Sequence, residues 1–186
     1  MSESTINTAT GTATPPSSSS SLPPPKPFYG KYRGKVKENS DPLMQGRIRA
    51  QVPAVFGDDV SGWALPCSPY GGNGVGFFFI PPIDANVWIE FENGNPDYPI
   101  WVGCFWGANE APKLPALPDV IKMIKTDLAK ITINDSPGGE GGFIIETTAG
   151  LKISIDSKEI EFSNGSASLK LTSDQVEINK DALIIK

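Results

Sequence analysis

The sequence predicts an all-β chain: a disordered tail, a small barrel, and then a strand array that winds with other copies of itself into an intertwined β-prism. Three observations carry that expectation. Residues 1–27 contain almost no large apolar groups. Residues 28–107 hold short alternating stretches broken by Gly, Pro, Asn and Asp clusters. Residues 119–186 repeat apolar pairs or triplets at a spacing of two, separated by polar turn groups.

The tail is dominated by Ser, Thr and Pro, with a Ser17–Ser21 run followed by Pro23-Pro24-Pro25. Such a segment cannot bury enough surface to offset the entropy of ordering, so residues 1–27 read as a solvated tail. An arm that orders on a neighbouring subunit is the competing reading.

In the barrel region, residues 29–39 read as a first strand and Asn39-Ser40-Asp41-Pro42 as a turn. Residues 46–56 alternate, with Ile48, Ala50 and Val52 on one face, and 61–66 resume a strand. The glycines at 71, 72 and 74 argue for a loop over 70–74. Residues 77–80 are apolar, 86–92 alternate with Val87, Ile89 and Phe91 inward, 93–97 turn, and 98–105 form a last strand. About five strands without a helix suit a small barrel such as the OB-fold. Residues 108–118 carry three prolines and read as a stiff, short linker.

The array places Ile131 and Ile133, then Leu151, Ile153 and Ile155, then Ile160 and Phe162 on one face. Leu169 and Leu171, Val176 and Ile178, and Leu183 and Ile185 continue it. About seven strands this sparse in apolar bulk give a thin meander whose apolar face stays wet. One chain cannot close a two-layer core from them. Copies wound about one axis bring the Ile, Leu and Val faces inside and remove the lateral edges. The expected core is Ile131, Ile133, Leu151, Ile153, Ile155, Ile160, Phe162, Leu169, Leu171, Val176 and Ile178. The last residues, through Leu183, Ile184 and Ile185, form a blunt apolar end.

Composition removes several functions. The chain has 186 residues, a formal charge of -5 and no histidine. An acidic balance opposes phosphate-backbone binding, which needs clustered Lys and Arg. Ser-His and Cys-His nucleophile pairs are unavailable. Glu90 and Glu92 share the face opposite Val87, Ile89 and Phe91 and are expected in solvent; Asp58 and Asp59 are expected in a loop. No cofactor or metal is expected. The glycine run 71–76 lacks a following Lys-Ser/Thr and is no phosphate cradle; it reads as a tight loop that allows close approach between subunits. Gly138, Gly139, Gly141 and Gly142 read as a loop between strands. Cys67 and Cys104 belong to no CxxC pair and read as two buried thiols, with a mutual disulfide as the other reading. Residues 1–21 lack the basic and apolar regions of a secretory signal, and the run 75–83 is too short to span a bilayer.

The barrel region resembles the phage baseplate assembly protein V family and the OB domain of the Vgr spikes of type VI secretion. The residues that carry the resemblance begin with Asp41-Pro42, Gly46-Arg47-Ile48-Arg49-Ala50-Gln51-Val52-Pro53 and Trp63-Ala64-Leu65-Pro66. They continue with 74–81, 87–96 and Pro99-Ile100-Trp101-Val102-Gly103. The resemblance implies an OB-fold that trimerises under a hub at the end of a tail tube, and a downstream triple-stranded β-helix. It supplies the number three for the assembly. It implies a central spike of a contractile phage tail or injection system, assembled in the bacterial cytoplasm and meeting the target envelope only transiently; the missing histidine and the short linker make that spike non-enzymatic.

The sequence departs from some relatives. Only low-complexity residues precede Tyr29, so no hub domain is expected there, and the linker is too short for an inserted lysozyme domain. Without histidine no iron apex is available. The end at Leu183, Ile184 and Ile185 then suits a separate PAAR-like tip protein. The rivals are a single-strand nucleic-acid-binding OB module, supported by Trp63, Phe77, Phe78, Phe79, Trp88, Trp101 and Trp106 with Lys31, Arg33, Lys35, Lys37, Arg47 and Arg49, and an envelope-degrading enzyme. No nucleic-acid partner is expected from so thin a basic footprint.

Overall fold

The computed structural model describes residues 26–114, 117–138, 141–180 and 182–185. The tail expectation therefore lies outside the described residues as far as residue 25. The described residues form two compact units divided between Phe105 and Trp106.

The first unit is a curled half-barrel sheet. Its strands are β1 (Tyr32–Glu38), β2 (Arg49–Gln51), β3 (Leu65–Pro66), β6 (Asn86–Phe91) and β7 (Pro99–Cys104), in the order β2-β1-β6-β7-β3. Only β3 and β7 run parallel. Alternation decides the inner face: Val87, Ile89 and Phe91 are buried along β6 while their neighbours are half-exposed. Val36, Ile48, Ala50, Val52 and Ala64 complete the core. Phe28, Tyr32 and Phe56 close one end by edge and tilted contacts to the Phe91 ring, with centroids 5.5 to 6.1 Å apart.

Three local expectations are corrected. The strand expected over 46–56 stops at Gln51, and a single helical turn, α1 (Pro53–Phe56), follows. Pro53 lacks an N–H to donate to a ladder and has the φ of a first helical residue, so the chain turns there. The Phe56 N–H donates to the Val52 carbonyl at 2.9 Å. Within 61–66 only Leu65 and Pro66 are regular strand, although Ile48 still bridges Ala64. The glycine loop over 70–74 is part of a small hairpin, β4 (Gly71–Gly72) and β5 (Val75–Gly76). Glycine is required at 76, where a Cβ would lie 2.9 Å from the Tyr70 carbonyl oxygen.

The second unit is one long antiparallel sheet. Its strands are β8 (Ile121–Lys125), β9 (Ala129–Asn134), β10 (Gly142–Thr147), β11 (Lys152–Asp156), β12 (Glu159–Ser163), β13 (Ser168–Thr172), β14 (Val176–Ile178) and β15 (Leu183–Ile185). Each pairs with its sequence neighbour, so eight strands lie in chain order. The polar turn groups act by capping. Asp156 Oδ1 accepts from the Lys158 and Glu159 N–H groups at 2.8 and 2.9 Å. Asn164 Oδ1 accepts from Ser166 and Ala167 at 3.0 and 2.7 Å. Among the described residues of this unit only Ile121 and Thr132 are buried.

Candidate interaction face

In an antiparallel sheet, residues directly opposite one another point to the same side. The register therefore resolves which apolar side chains share a face. One rung runs Ile124, Ile131, Ile145, Ile153, Phe162, Leu169, Ile178, Leu183, one residue from each of the eight strands. A second rung beside it runs Lys122, Ile133, Phe143, Ile155, Ile160, Leu171, Val176, Ile185. At a strand spacing of about 4.8 Å, eight strands make this stripe about 34 Å long.

The stripe is wet in the single chain. Ile133 and Phe162 are each 44% exposed and Leu151 is 54% exposed. An open groove of about 560 Å³ crosses it, lined by Ile145, Leu151, Ile153, Phe162, Leu169 and Ile178 among others. The other face is mixed at the first strands, where its rung runs Met123, Thr132, Ile144, and polar beyond them, where Ser154, Glu161, Lys170 and Glu177 occupy successive register positions before Ile184. It carries ion pairs from Lys170 to Glu159 at 2.9 Å, from Lys152 to Glu161 at 3.7 Å and from Lys130 to Glu146.

Ten of the eleven residues expected in the shared core thus lie in one sheet, on the two rungs. Leu151 precedes β11 and lines the groove beside Ile153. Leu183 and Ile185 extend the two rungs, whereas Ile184 pairs with Glu177 on the polar face. The sequence reading missed Ile124, Phe143 and Ile145. A period-two signal was present in Phe143 and Ile145, but the intervening Ile144 fills the run and hides it. Gly142, read as loop, is the first residue of β10; a Cβ there would meet the Ile155 carbonyl oxygen at 2.5 Å.

The first unit offers no comparable chemistry. Among the described residues no group of three His, Cys, Asp or Glu side chains could hold a metal ion. Of the six basic residues in β1 and around β2, Lys31, Lys37, Arg47 and Arg49 are paired with Glu90, Asp84, Asp41 and Glu38. Arg33 lies over Trp88 and Phe105, 5.4 and 5.2 Å from their centroids. Those cations already have partners, so the phosphate-binding footprint is thinner than the sequence suggests.

One pair was not foreseen. Asp41 accepts from the Arg47 guanidinium at 2.6 Å and from the Leu43, Gln45 and Arg47 N–H groups. The Arg47 bond, followed by those N–H donors, holds the Asp41 carboxyl well below the usual carboxylate range against the opposing effect of desolvation. The expectation of two buried thiols fails for the single chain: Cys67 and Cys104 are free and exposed. They flank the parallel β3–β7 edge, where the Cys67 N–H donates to the Trp101 carbonyl, and the partial burial of Cys104 pushes its thiol pKa up.

Comparison with known proteins places both units. Residues 32–106 match the type VI secretion system/phage-baseplate injector OB domain. Residues 121–184 match the phage baseplate V C-terminal trimerisation domain. The chain is similar to the type VI secretion system spike protein VgrG4b of Pseudomonas aeruginosa, with 35% identity over 102 residues, 52% of this chain and 12% of that protein. It thus corresponds to a small part of that relative.

Proposed function

The chain belongs to the phage baseplate V family, a structural and non-enzymatic family of baseplate spikes, and we propose that it works as the central spike of a contractile tail or tail-like injection system. Its trimerisation domain supports a homotrimer, and its two domains make it a component of a phage baseplate or type VI apparatus. In this reading residues 28–107 seat the trimer under the hub, 108–118 form a strap, and 119–186 form the shaft that meets the envelope when the sheath contracts. The assembly forms in the bacterial cytoplasm before it joins the particle.

The observation that carries the reading is the pair of rungs on one face, one apolar across all eight strands and the other across seven. A structure that must resist axial load without buckling benefits from a dry core shared by several chains. Interchain contacts along the shaft then have to break together. With three stripes facing one axis, the charged rungs lie outside. The residues proposed for the core are those named from the sequence, joined by Ile124, Phe143 and Ile145. Leu183 and Ile185 carry the core to the last described strand, where a PAAR-like tip protein would sit with Ile184 at its rim.

Light scattering on the purified chain tests this. The expected mass is three chains across the micromolar range, and a monomer overturns the spike reading. Ile153→Asp puts a carboxylate from each copy into the dry core, so the trimer should fail to form. Salt-sensitive oligonucleotide binding by a monomer would favour the single-strand-binding alternative.

A further inference from the structure

The polar face of the second unit balances its charges except at one place. Along the rung Glu161, Lys170, Glu177, opposite signs face each other across adjacent strands. Near the other edge of the sheet, Lys125 of β8 stands directly opposite Lys130 of β9. That rung continues through Glu146 to Lys152, so four successive positions hold three lysines and one carboxylate. Lys130 pairs with Glu146 and Lys152 with Glu161, whereas Lys125 has no carboxylate partner among the described residues. Like charges directly opposite in a ladder are destabilising. A sequence with a formal charge of -5 has carboxylates in excess, yet Glu146 alone stands on this stretch.

Lys125 and Lys130 border a cleft of about 210 Å³ beside the β8–β9 turn, and Lys113 reaches the same cleft from the linker. Glu146 and Thr147 are also in its wall. The Thr147 hydroxyl oxygen accepts from the Leu151 N–H at 3.3 Å, which leaves the hydroxyl proton to donate. Three ammonium groups against one carboxylate make the cleft positive; Asp127 lies in the turn but is not part of the lining. Lys113 and Lys125 are exposed, so a ligand reaches them from solvent. The three cations come from three separate segments: the linker, β8 and β9. Charges that arrive from several directions suit a tetrahedral oxyanion better than a planar carboxylate, and lysine meets such an anion as a point charge.

We propose that the Lys113/Lys125/Lys130 cleft binds a phosphate group, either free in solution or on a lipid headgroup. The bound anion offsets the Lys125–Lys130 repulsion that the ladder otherwise bears, and the Thr147 hydroxyl adds a neutral donor. All the lining residues belong to one chain, so the site does not depend on the trimeric reading. When three stripes face one axis this rung faces outward, and three such clefts ring the shaft.

Titration calorimetry of the intact chain with inorganic phosphate tests this, at an ionic strength held constant with chloride, beside Lys113→Gln and Lys125→Gln. Both side chains are exposed, so neither replacement touches the core. Wild type should bind one phosphate per chain, and each variant at least about tenfold more weakly, through loss of one charge-assisted hydrogen bond. No binding by wild type at matched ionic strength overturns the site. Equal affinity in all three proteins also overturns it, because that is screening of surface charge in general. Binding of an oligonucleotide without binding of inorganic phosphate overturns it as well. Sedimentation with phosphatidylglycerol vesicles then separates the two sources. Vesicle binding that inorganic phosphate competes away, and that both variants lose, assigns the site to a headgroup; phosphate binding without vesicle binding assigns it to the soluble anion. None of these results bears on the spike reading, which the measured mass decides separately.

Discussion

Asp41 shows how a single residue fixes a loop that the sequence presents only as a turn. Its carboxylate gathers the Arg47 guanidinium and three backbone N–H groups, and the Arg47 cation in turn lies over Trp63, 5.4 Å from the ring centroid. A carboxylate so held has a depressed folded-state pKa. Its stabilisation is complete above the unfolded value of about 3.9 and is lost as the pH falls through the folded value. Asp84 and Asp156, lowered by Lys37 and by backbone N–H donors respectively, titrate in the same sense. Asp41→Asn should therefore lower the melting temperature at pH 7, with the gap from wild type closing as the solution is acidified below pH 4. Calorimetry across that range checks it; a gap independent of pH would show that the charge of Asp41 is not what holds the loop. At the core, Ile89 is fully buried, and Ile89→Ala should cost about 3 kcal/mol in a denaturant titration of the first unit.

At the scale of elements, legibility followed burial pattern. Strand β6 was readable because Val87, Ile89 and Phe91 recur at a spacing of two on a strand whose other face is only half-buried. Most strands of the second unit from β9 onward were readable for the same reason, with turns such as those at Asp156 and Asn164 marked by the side chain that caps them. Three elements were not: β8, the helical turn α1, and β10. The alternation of Ile48, Ala50 and Val52 continues into Pro53, and periodicity alone gives no sign that the missing N–H ends the strand. In β10 the run Phe143-Ile144-Ile145 looks continuous, and the glycines before it look like loop. Gly142 belongs to the strand because β11 approaches too closely for a side chain. Gly142→Val should push these strands apart and lose about 2 kcal/mol from the second unit. Hydrogen exchange should then show early loss of protection at Phe143 and Ile155. Unchanged protection there would mean that the β10–β11 pairing tolerates a side chain.

At the scale of the whole molecule, the register turned ten of the eleven named residues into two rungs, something no single stretch of sequence displays. The sequence announced that an apolar face exists. It could not announce that the face is continuous across eight strands, because continuity depends on every turn holding its register. That continuity sets the last prediction. If the rungs are buried only between copies, the second unit gains most of its stability from association, and that stability must follow mass action. Three chains unfolding from one trimer make the equilibrium depend on the square of the chain concentration. Each tenfold rise in concentration then adds about 2.7 kcal/mol per trimer, at 1.4 kcal/mol per factor of ten. The transition assigned to the second unit should move to higher temperature as concentration rises, at scan rates slow enough for equilibrium. In Ile153→Asp that dependence should disappear and the cooperative transition with it, because one sheet cannot bury its own stripe. A transition that stays at one temperature over a hundredfold range of concentration, in a chain of monomeric mass, would show that this sheet is stable alone and that its apolar face serves another partner.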